Sequence, residues 1–319
     1  MPKLVLKIDV DTWRGTQEGV PALMRMLQRQ RAGASFLFSL GPDHTGWAMK
    51  RALRPGFFSK VSRTSVLEHY GLKTLMYGVL LPGPDIGAGS RDILREVYRS
   101  GFECGIHCWD HVRWQDNVRR KDEAWTRKQM DLARARFAEI FLREAHTHGA
   151  AGWQMNSHAL ALEDEAGMRY ASDSRARLRE DGWLADPAAG PHRLIADGRR
   201  LSCVQLPTTL PTLDELLGVE MPDGAGGAVL LTPENIAAWI LRLTAPGAQY
   251  RDHVYTLHAE LEGQKLSGVF LQLLQGWQEQ GYHLTSMREL YEQVADQALP
   301  EQALQWGELP GRSGEMLLA

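Results

Sequence analysis

The stretch "LVLKIDVDTWRG" (residues 4–15) runs out of an apolar strand into two carboxylates, Asp9 and Asp11. Leu4, Val5, Leu6 and Ile8 mark a buried strand, and residues two apart on a strand point to the same side. Two aspartates so placed repel each other unless a proton, a cation or a metal relieves them. Outward from this strand, strand and helix signals alternate. Further strands are expected at 34–40 ("ASFLFSL"), 102–107 ("FECGIH"), 168–174, 201–207, 253–258 and 281–287. Between them lie "VPALMRMLQRQRAG", with Pro21 suited to a first helical turn and Gly33 to a stop, and "SRDILREVYRSG", with Ser90 as N-cap and Gly101 beyond its end. A long charged helix is expected over about 122–145, and shorter ones over 234–243, 265–279 and 287–295. This alternation favours an α/β fold with a parallel sheet, and about seven strands suggest an irregular (β/α) barrel. Residues 1–296 are read as one domain and the tail 297–319, poor in periodic signal, as loosely attached.

The chain has 319 residues, 44% hydrophobic and 24% charged, with a net charge of −3. That balance suits a globular protein and argues against a general nucleic-acid binder. Cys104, Cys108 and Cys203 form no disulfide framework. No apolar leader follows Met1 and no run reaches the roughly 18 apolar residues of a spanning helix, so a cytoplasmic, reducing setting is expected. One segment, 43–88, breaks the rhythm and reads as a helical insertion. Within 47–81, Lys50, Arg51, Arg54, Lys60, Arg63 and Lys73 stand against Glu68 alone, a balance of +5, with Trp47, Phe57 and Phe58 interleaved. Such a mixture suits an anionic membrane surface. A helical cap on the barrel is the plainer reading.

Asp9 and Asp11 admit three readings. They are a structural pair bonded to backbone amides, or the D-x-D of a haloacid-dehalogenase-type phosphatase, or a metal ligand beside a general base. The phosphatase motif expects Thr or Val where this chain has Trp13. Further ligands bear on the third reading. In "GIHCWDH", His107 and His111 are spaced i, i+4, which on a helical turn places both imidazoles on one face, about 5–6 Å apart at Cβ. Cys104 and Cys108 are taken as small buried residues, and Asp110 as pointing elsewhere or buttressing. Asp11, His107 and His111 make a two-His, one-carboxylate set with an open position, suited to zinc, cobalt, nickel, manganese or iron. Asp9 beside such a metal would take the proton of an attacking water. His258, in "YTLHAELEG", ends a late strand that a barrel returns to the same mouth, and is the candidate proton donor.

This order of elements, D-x-D first, H-x-x-x-H third, an Asp strand-end near the middle and L-H late, resembles the polysaccharide deacetylase family with its NodB homology domain, over about residues 3–295. The resemblance implies an irregular (β/α)7-type barrel, Asp9 as catalytic base, Asp11, His107 and His111 on one divalent metal, and His258 as general acid. The family's third motif usually presents an Arg, whereas "HGAAGWQ" has none, and Trp153 is expected to form the pocket wall there. "KIDVDTWRGTQEGVP", "SLGPD", "HCWDH", "AAGW", "RYASDSR", "QLPTTLPTLDE" and "YTLHAELEG" together look like one branch, bacterial deformylases of a formamido sugar carried on undecaprenyl phosphate. That likeness implies hydrolysis of the formamide to an amino-sugar lipid and formate, for lipid A modification and resistance to polymyxin. It also implies work at the cytoplasmic face of the inner membrane, with Trp47, Lys50, Arg51, Arg54, Phe57, Phe58 and Lys60 as membrane contacts. On the proposed mechanism Asp173 is a candidate for orienting His258, and Glu260 and Glu262 for meeting the sugar or the new amine. The alternatives are a cytoplasmic de-N-acetylase of a soluble sugar and a non-catalytic lipid-sugar binding protein.

Overall fold

A computed structural model describes residues 1–48, 72–179, 183–222, 227–312 and 314–319. The first strand, β1 (Lys3–Val10), is buried along almost its whole length, as an apolar run in the middle of a parallel sheet must be. It is followed by β2 (Ser35–Ser39), β3 (Glu103–Cys108), β4 (Thr147–His148), β5 (Tyr170–Ala171), β6 (Ser174–Arg175), β7 (His192–Ala196) and β8 (Arg199–Gln205). Then come β9 (Glu220–Pro222), β10 (Ala228–Leu230), β11 (His253–His258), β12 (His283–Thr285), β13 (Glu301–Ala303), β14 (Trp306–Gly307) and β15 (Met316–Leu318). The main sheet runs β11-β1-β2-β3-β4-β5-β8-β7-β13, with β12 also on β1. Every pair from β11 to β8 is parallel, and β7 joins β8 antiparallel. The segment after β8 bridges the two ends of this curved sheet. Thr209 N donates to Val254 O (3.0 Å), and the Thr208 and Thr256 hydroxyls meet at 2.7 Å. The fold is therefore the expected irregular α/β barrel type.

The register of β1 against β11 sets Asp9 opposite His258. The carboxyl ends of β1, β3 and β11 thus open on one mouth. Helices on the outside, among them Val20–Gln30, Arg91–Arg99, Glu123–Phe141 and Ser267–Glu279, bury apolar faces against the sheet. The long charged helix stops at Phe141 because Leu142 turns into the left-handed region (φ 55). Ser90 precedes its helix, but its hydroxyl accepts from Gln17 Nε2 (2.8 Å) rather than capping.

Besides the unforeseen short strands β4, β9 and β10, the fold departs from the sequence expectations as follows. The expected strand over 168–174 is two short strands, β5 and β6, around the buried Asp173. Strand β7 was not foreseen, although "DG" at 197–198 is a hairpin signal. Asp197 (φ 49) and Gly198 (φ 75) supply the two positive φ values that a tight turn between β7 and β8 requires. The tail is not loosely attached: β13 pairs with β7, β15 with β6, and Met316 and Leu317 are fully buried. Three short strands cannot show a long period, which is why the tail looked featureless. Of the insertion, Trp47 and the helices Leu72–Met76 and Ile86–Gly89 fall within the described residues, while Lys50, Arg51, Arg54, Phe57, Phe58 and Lys60 lie outside them.

Candidate active site

Asp11 lies just past β1, His107 near the end of β3 and His111 at the start of the helix His111–Asn117. Asp11 Oδ1 is 3.2 Å from His107 Nε2, and Oδ2 is 3.4 Å from His111 Nε2. The two imidazoles are not on one helical turn as the spacing suggested. Strand β3 continues to Cys108, paired with Ser39, and Asp110 (φ −135) keeps an extended conformation to cap the helix. The rings nonetheless face each other, with centroids 5.4 Å apart. Asp110 accepts from Arg113 N (3.0 Å) and meets His44 Nδ1 at 2.6 Å, so it buttresses the turn that presents His111.

His107 Nδ1 is 2.6 Å from the Gly149 carbonyl, which can only accept, so Nδ1 carries the proton and Nε2 turns its lone pair toward Asp11. Two acceptors then face each other, and Asp11 Oδ1 is buried with no hydrogen-bond partner. A cation between Asp11, His107 and His111 resolves that arrangement, and their ligand atoms lie within 4.8 Å of one another. Donors and burial fit a divalent metal. Cys108 points instead to Ser39 Oγ (3.3 Å), its thiol pushed up by burial, and Cys104 is half-buried elsewhere.

Asp9 has a different environment. Its Oδ2 lies 3.0 Å from the ammonium of Lys7, a fully buried lysine on the same face of β1. Its Oδ1 is buried without a hydrogen-bond partner, 3.7 Å from His107 Nδ1. Lys7 supplies the cation that the "HGAAGWQ" segment lacks, and that segment makes its slot. A Cβ on Gly149 would come within 2.8 Å of Lys7 Cε, and the Lys7 ammonium lies 5.0 Å from the centre of the Trp153 ring. The signal for Lys7 was present as a lysine two residues before Asp9, inside the apolar run of β1.

Trp153 is not a wall of an open pocket. It is buried with a left-handed backbone (φ 55), donates to Thr208 Oγ1 (3.2 Å), and is flanked by the guanidinium groups of Arg175 and Arg312 at 4.6 and 4.7 Å. Glu260 and Glu262 are likewise buried rather than turned to a substrate. Glu260 Oε1 accepts from Asp11 N (3.1 Å), Thr12 N (2.8 Å) and Thr12 Oγ1 (2.8 Å), clasping the turn after β1. Glu262 accepts from His258 N (2.9 Å) and from the Tyr255 hydroxyl (3.2 Å). Burial first, and for Glu260 the nearby Asp11, push these carboxyls up to about 8 and about 7.

Asp173 does not orient His258. It pairs with His148 Nδ1 (3.0 Å) and accepts from Ala150 N (2.7 Å) and Gln205 Nε2 (3.0 Å). His148 Nδ1 also lies 2.6 Å from Glu163 Oε1, and all three side chains are buried. His148 thus lies between two buried acids, a triad in which Asp173 also holds the Ala150 amide of the turn behind His107. The carboxylate beside His258 is Asp214, 3.9 Å from Nδ1. Sequence reasoning did not single out Asp214, because the helix it starts, Leu213–Leu216, is too short to show a period. Burial opposes charge on His258, but Asp214 first, then Asp11, Glu262 and Asp9, raise its pKa above the ordinary value.

No family model matches the chain. A probable 4-deoxy-4-formamido-L-arabinose-phosphoundecaprenol deformylase (ArnD) from Shewanella sediminis is 33% identical over 288 residues, 90% of this chain and 85% of the relative. A protein of the same name from Wigglesworthia glossinidia brevipalpis is 27% identical over 301 residues, 94% of this chain and 96% of the relative. Among solved structures, one from Mycobacterium smegmatis described as a polysaccharide deacetylase superposes with a TM-score of 0.61 at 18% identity, over 97% of this chain and 96% of that one. A GH57 branching enzyme from Thermococcus kodakaraensis superposes at 0.55 with 13% identity, over 98% and 74%. These two share the fold. The chain is an amide-hydrolysing enzyme, a sugar de-N-acylase on the polysaccharide deacetylase fold, and it belongs to the 4-deoxy-4-formamido-L-arabinose-phosphoundecaprenol deformylase family.

Proposed function

We propose that the enzyme hydrolyses the formamide of 4-deoxy-4-formamido-L-arabinose carried on undecaprenyl phosphate, releasing formate and leaving the 4-amino sugar used to modify lipid A. The observation that carries the reading is the division of labour between the two aspartates: Asp11 faces two histidines, while Asp9 is tied to Lys7 with one oxygen and has the other free of hydrogen bonds. Asp11, His107 and His111 would hold one divalent metal, which when bound polarises the formyl carbonyl and acidifies water. Lys7 keeps Asp9 oriented, so Oδ1 is the oxygen that removes a proton from the attacking water. Water adds to the formyl carbon, and the C–N bond breaks as His258 gives a proton to the departing amine. Incubation of formamido-arabinose lipid with the enzyme, followed by mass spectrometry, tests this. Loss of the formyl group is expected. Inertness toward that lipid with activity on acetamido sugars would favour a de-N-acetylase instead.

The lipid substrate calls for a peripheral position on the cytoplasmic face of an anionic inner membrane. No described helix is long and apolar enough to cross a membrane. Support for surface contact comes from the +5 segment and from Val79 and Leu80, 54% and 77% exposed on the turn beside Gly46 and Trp47.

A further inference from the structure

Arg312 belongs to the C-terminal segment, far from His258 in sequence, yet its guanidinium reaches the carboxylate beside that histidine. Nη1 lies 3.1 Å from Asp214 Oδ2, and Nη2 donates to Asp214 Oδ1 (3.1 Å) and to Thr212 Oγ1 (2.8 Å). Nε donates to Glu215 Oε1 (2.6 Å), and the group lies 4.7 Å from the centre of the Trp153 ring. A planar fork on both oxygens of a carboxylate fixes its rotation as well as its charge. Thr212 Oγ1 adds a bond to Asp214 Oδ1 (2.5 Å), the oxygen that lies 3.9 Å from His258 Nδ1. That Nδ1 is buried and has no hydrogen-bond partner. Gly311 (φ 82) allows the approach, since a Cβ there would crowd Glu215 at 3.2 Å. On the far side, β15 is anchored on β6 by Leu317 opposite Ser174.

We propose that Arg312 is a positioning residue for the general acid: it sets Asp214, and Asp214 holds the Nδ1 side of His258 so that Nε2 serves the leaving amine. The C-terminal segment is then a working part of the active site. The inference rests on His258 being the acid of formamide hydrolysis.

Full-length, metal-loaded enzyme tests it, with Arg312→Gln, Arg312→Lys and His258→Ala compared on the formamido-sugar lipid and on 4-nitrophenyl formate. The ester's phenolate leaves without needing a proton, so loss of acid assistance harms the amide selectively. Arg312→Gln is expected to lose ~10–100-fold in kcat on the amide with KM and metal content near wild type. Its ester turnover should stay within about twofold, Arg312→Lys should fall between, and His258→Ala should show the same selectivity more strongly. Unchanged amide turnover in Arg312→Gln, or an equal fall on amide and ester, would overturn the inference while wild-type deformylation stands. A wild-type enzyme inert on the formamide, or a His258→Ala enzyme at full rate, would overturn the underlying reading and the inference with it.

Discussion

At the scale of single residues, chemically similar groups are separated by what lies within about 4 Å of each. Asp9 and Asp11 are both buried aspartates, yet one faces an ammonium and the other two imidazoles. Asp9→Ala and His258→Ala should therefore retain metal by elemental analysis and lose turnover by at least ~10²-fold. His107→Ala and His111→Ala should lose the metal as well, since each removes one of the three proposed ligands. Lys7→Met keeps the length and apolar stem of Lys7 but leaves Asp9 buried without its cation. Breaking a buried pair in this way costs about 3–5 kcal/mol, and kcat should fall with metal content unchanged. A Lys7→Met enzyme with wild-type kcat and melting behaviour would show that Asp9 needs no partner.

At the scale of elements, the mouth is assembled by close approach of two turns. The chain leaves β1 through a π-helical turn, Gly15–Gly19, against the turn that follows β11. A Cβ on Gly15 would overlap Glu260 Oε1 at 1.9 Å, and one on Gly19 would overlap the Ala259 carbonyl at 2.0 Å. Backbone cannot yield as a side chain can. Gly19→Ala should lower stability by ~1–3 kcal/mol in urea unfolding and reduce turnover, because it displaces the turn bearing His258. Gly268→Ala, in a helix with nothing within 4 Å, is the contrast and should be neutral or up to ~1 kcal/mol stabilising. Equal effects at both positions would count against the crowded-turn explanation.

At the scale of the whole molecule, a buried ion triad couples stability to pH. Burial opposes the His148 charge, but Asp173 and Glu163 raise it to about 10. Burial and Asp173 raise Glu163 to about 8. A folded-state pKa above the unfolded value stabilises fully below the latter and is lost as pH rises through the former, so the contribution of Glu163 should fade between about pH 4.5 and 8 and that of His148 between about pH 6.5 and 10. Asp173 works at the other end. Burial would raise it, but His148 holds it at about 2, so its contribution is lost as pH falls from about 4 through about 2. Urea midpoints across this range check both limbs, and Glu163→Gln, which takes one carboxylate away from His148, should bring the alkaline decline to its end at lower pH. A flat profile from pH 7 to 10 would rule the triad out as a stabilising element. Neutralising Lys50, Arg51, Arg54 and Lys60 together should abolish binding to anionic vesicles. Undiminished sedimentation with such vesicles would remove the case for the basic segment as the membrane contact.

Much of the candidate site was legible in the chain because its residues sit at the ends of strongly apolar strands. Asp9, Asp11, His107 and His258 each follow or end a run whose burial the pattern states, and parallel strands bring their carboxyl ends to one mouth. The alternation of strands and helices, and with it the fold class, was legible for the same reason. What the sequence could not show were partnerships between segments distant along the chain. Asp173 looked like the companion of His258, but β5 and β6 turn it to His148, while Asp214 and Arg312 take that place from a helix start and a tail. Glu260 and Glu262 read as substrate contacts after the candidate acid His258 and are instead bonded to backbone amides. Local periodicity records which face of an element is buried. Which charges meet inside is settled only when the barrel brings those faces together, since a buried charge persists only beside the group that compensates it.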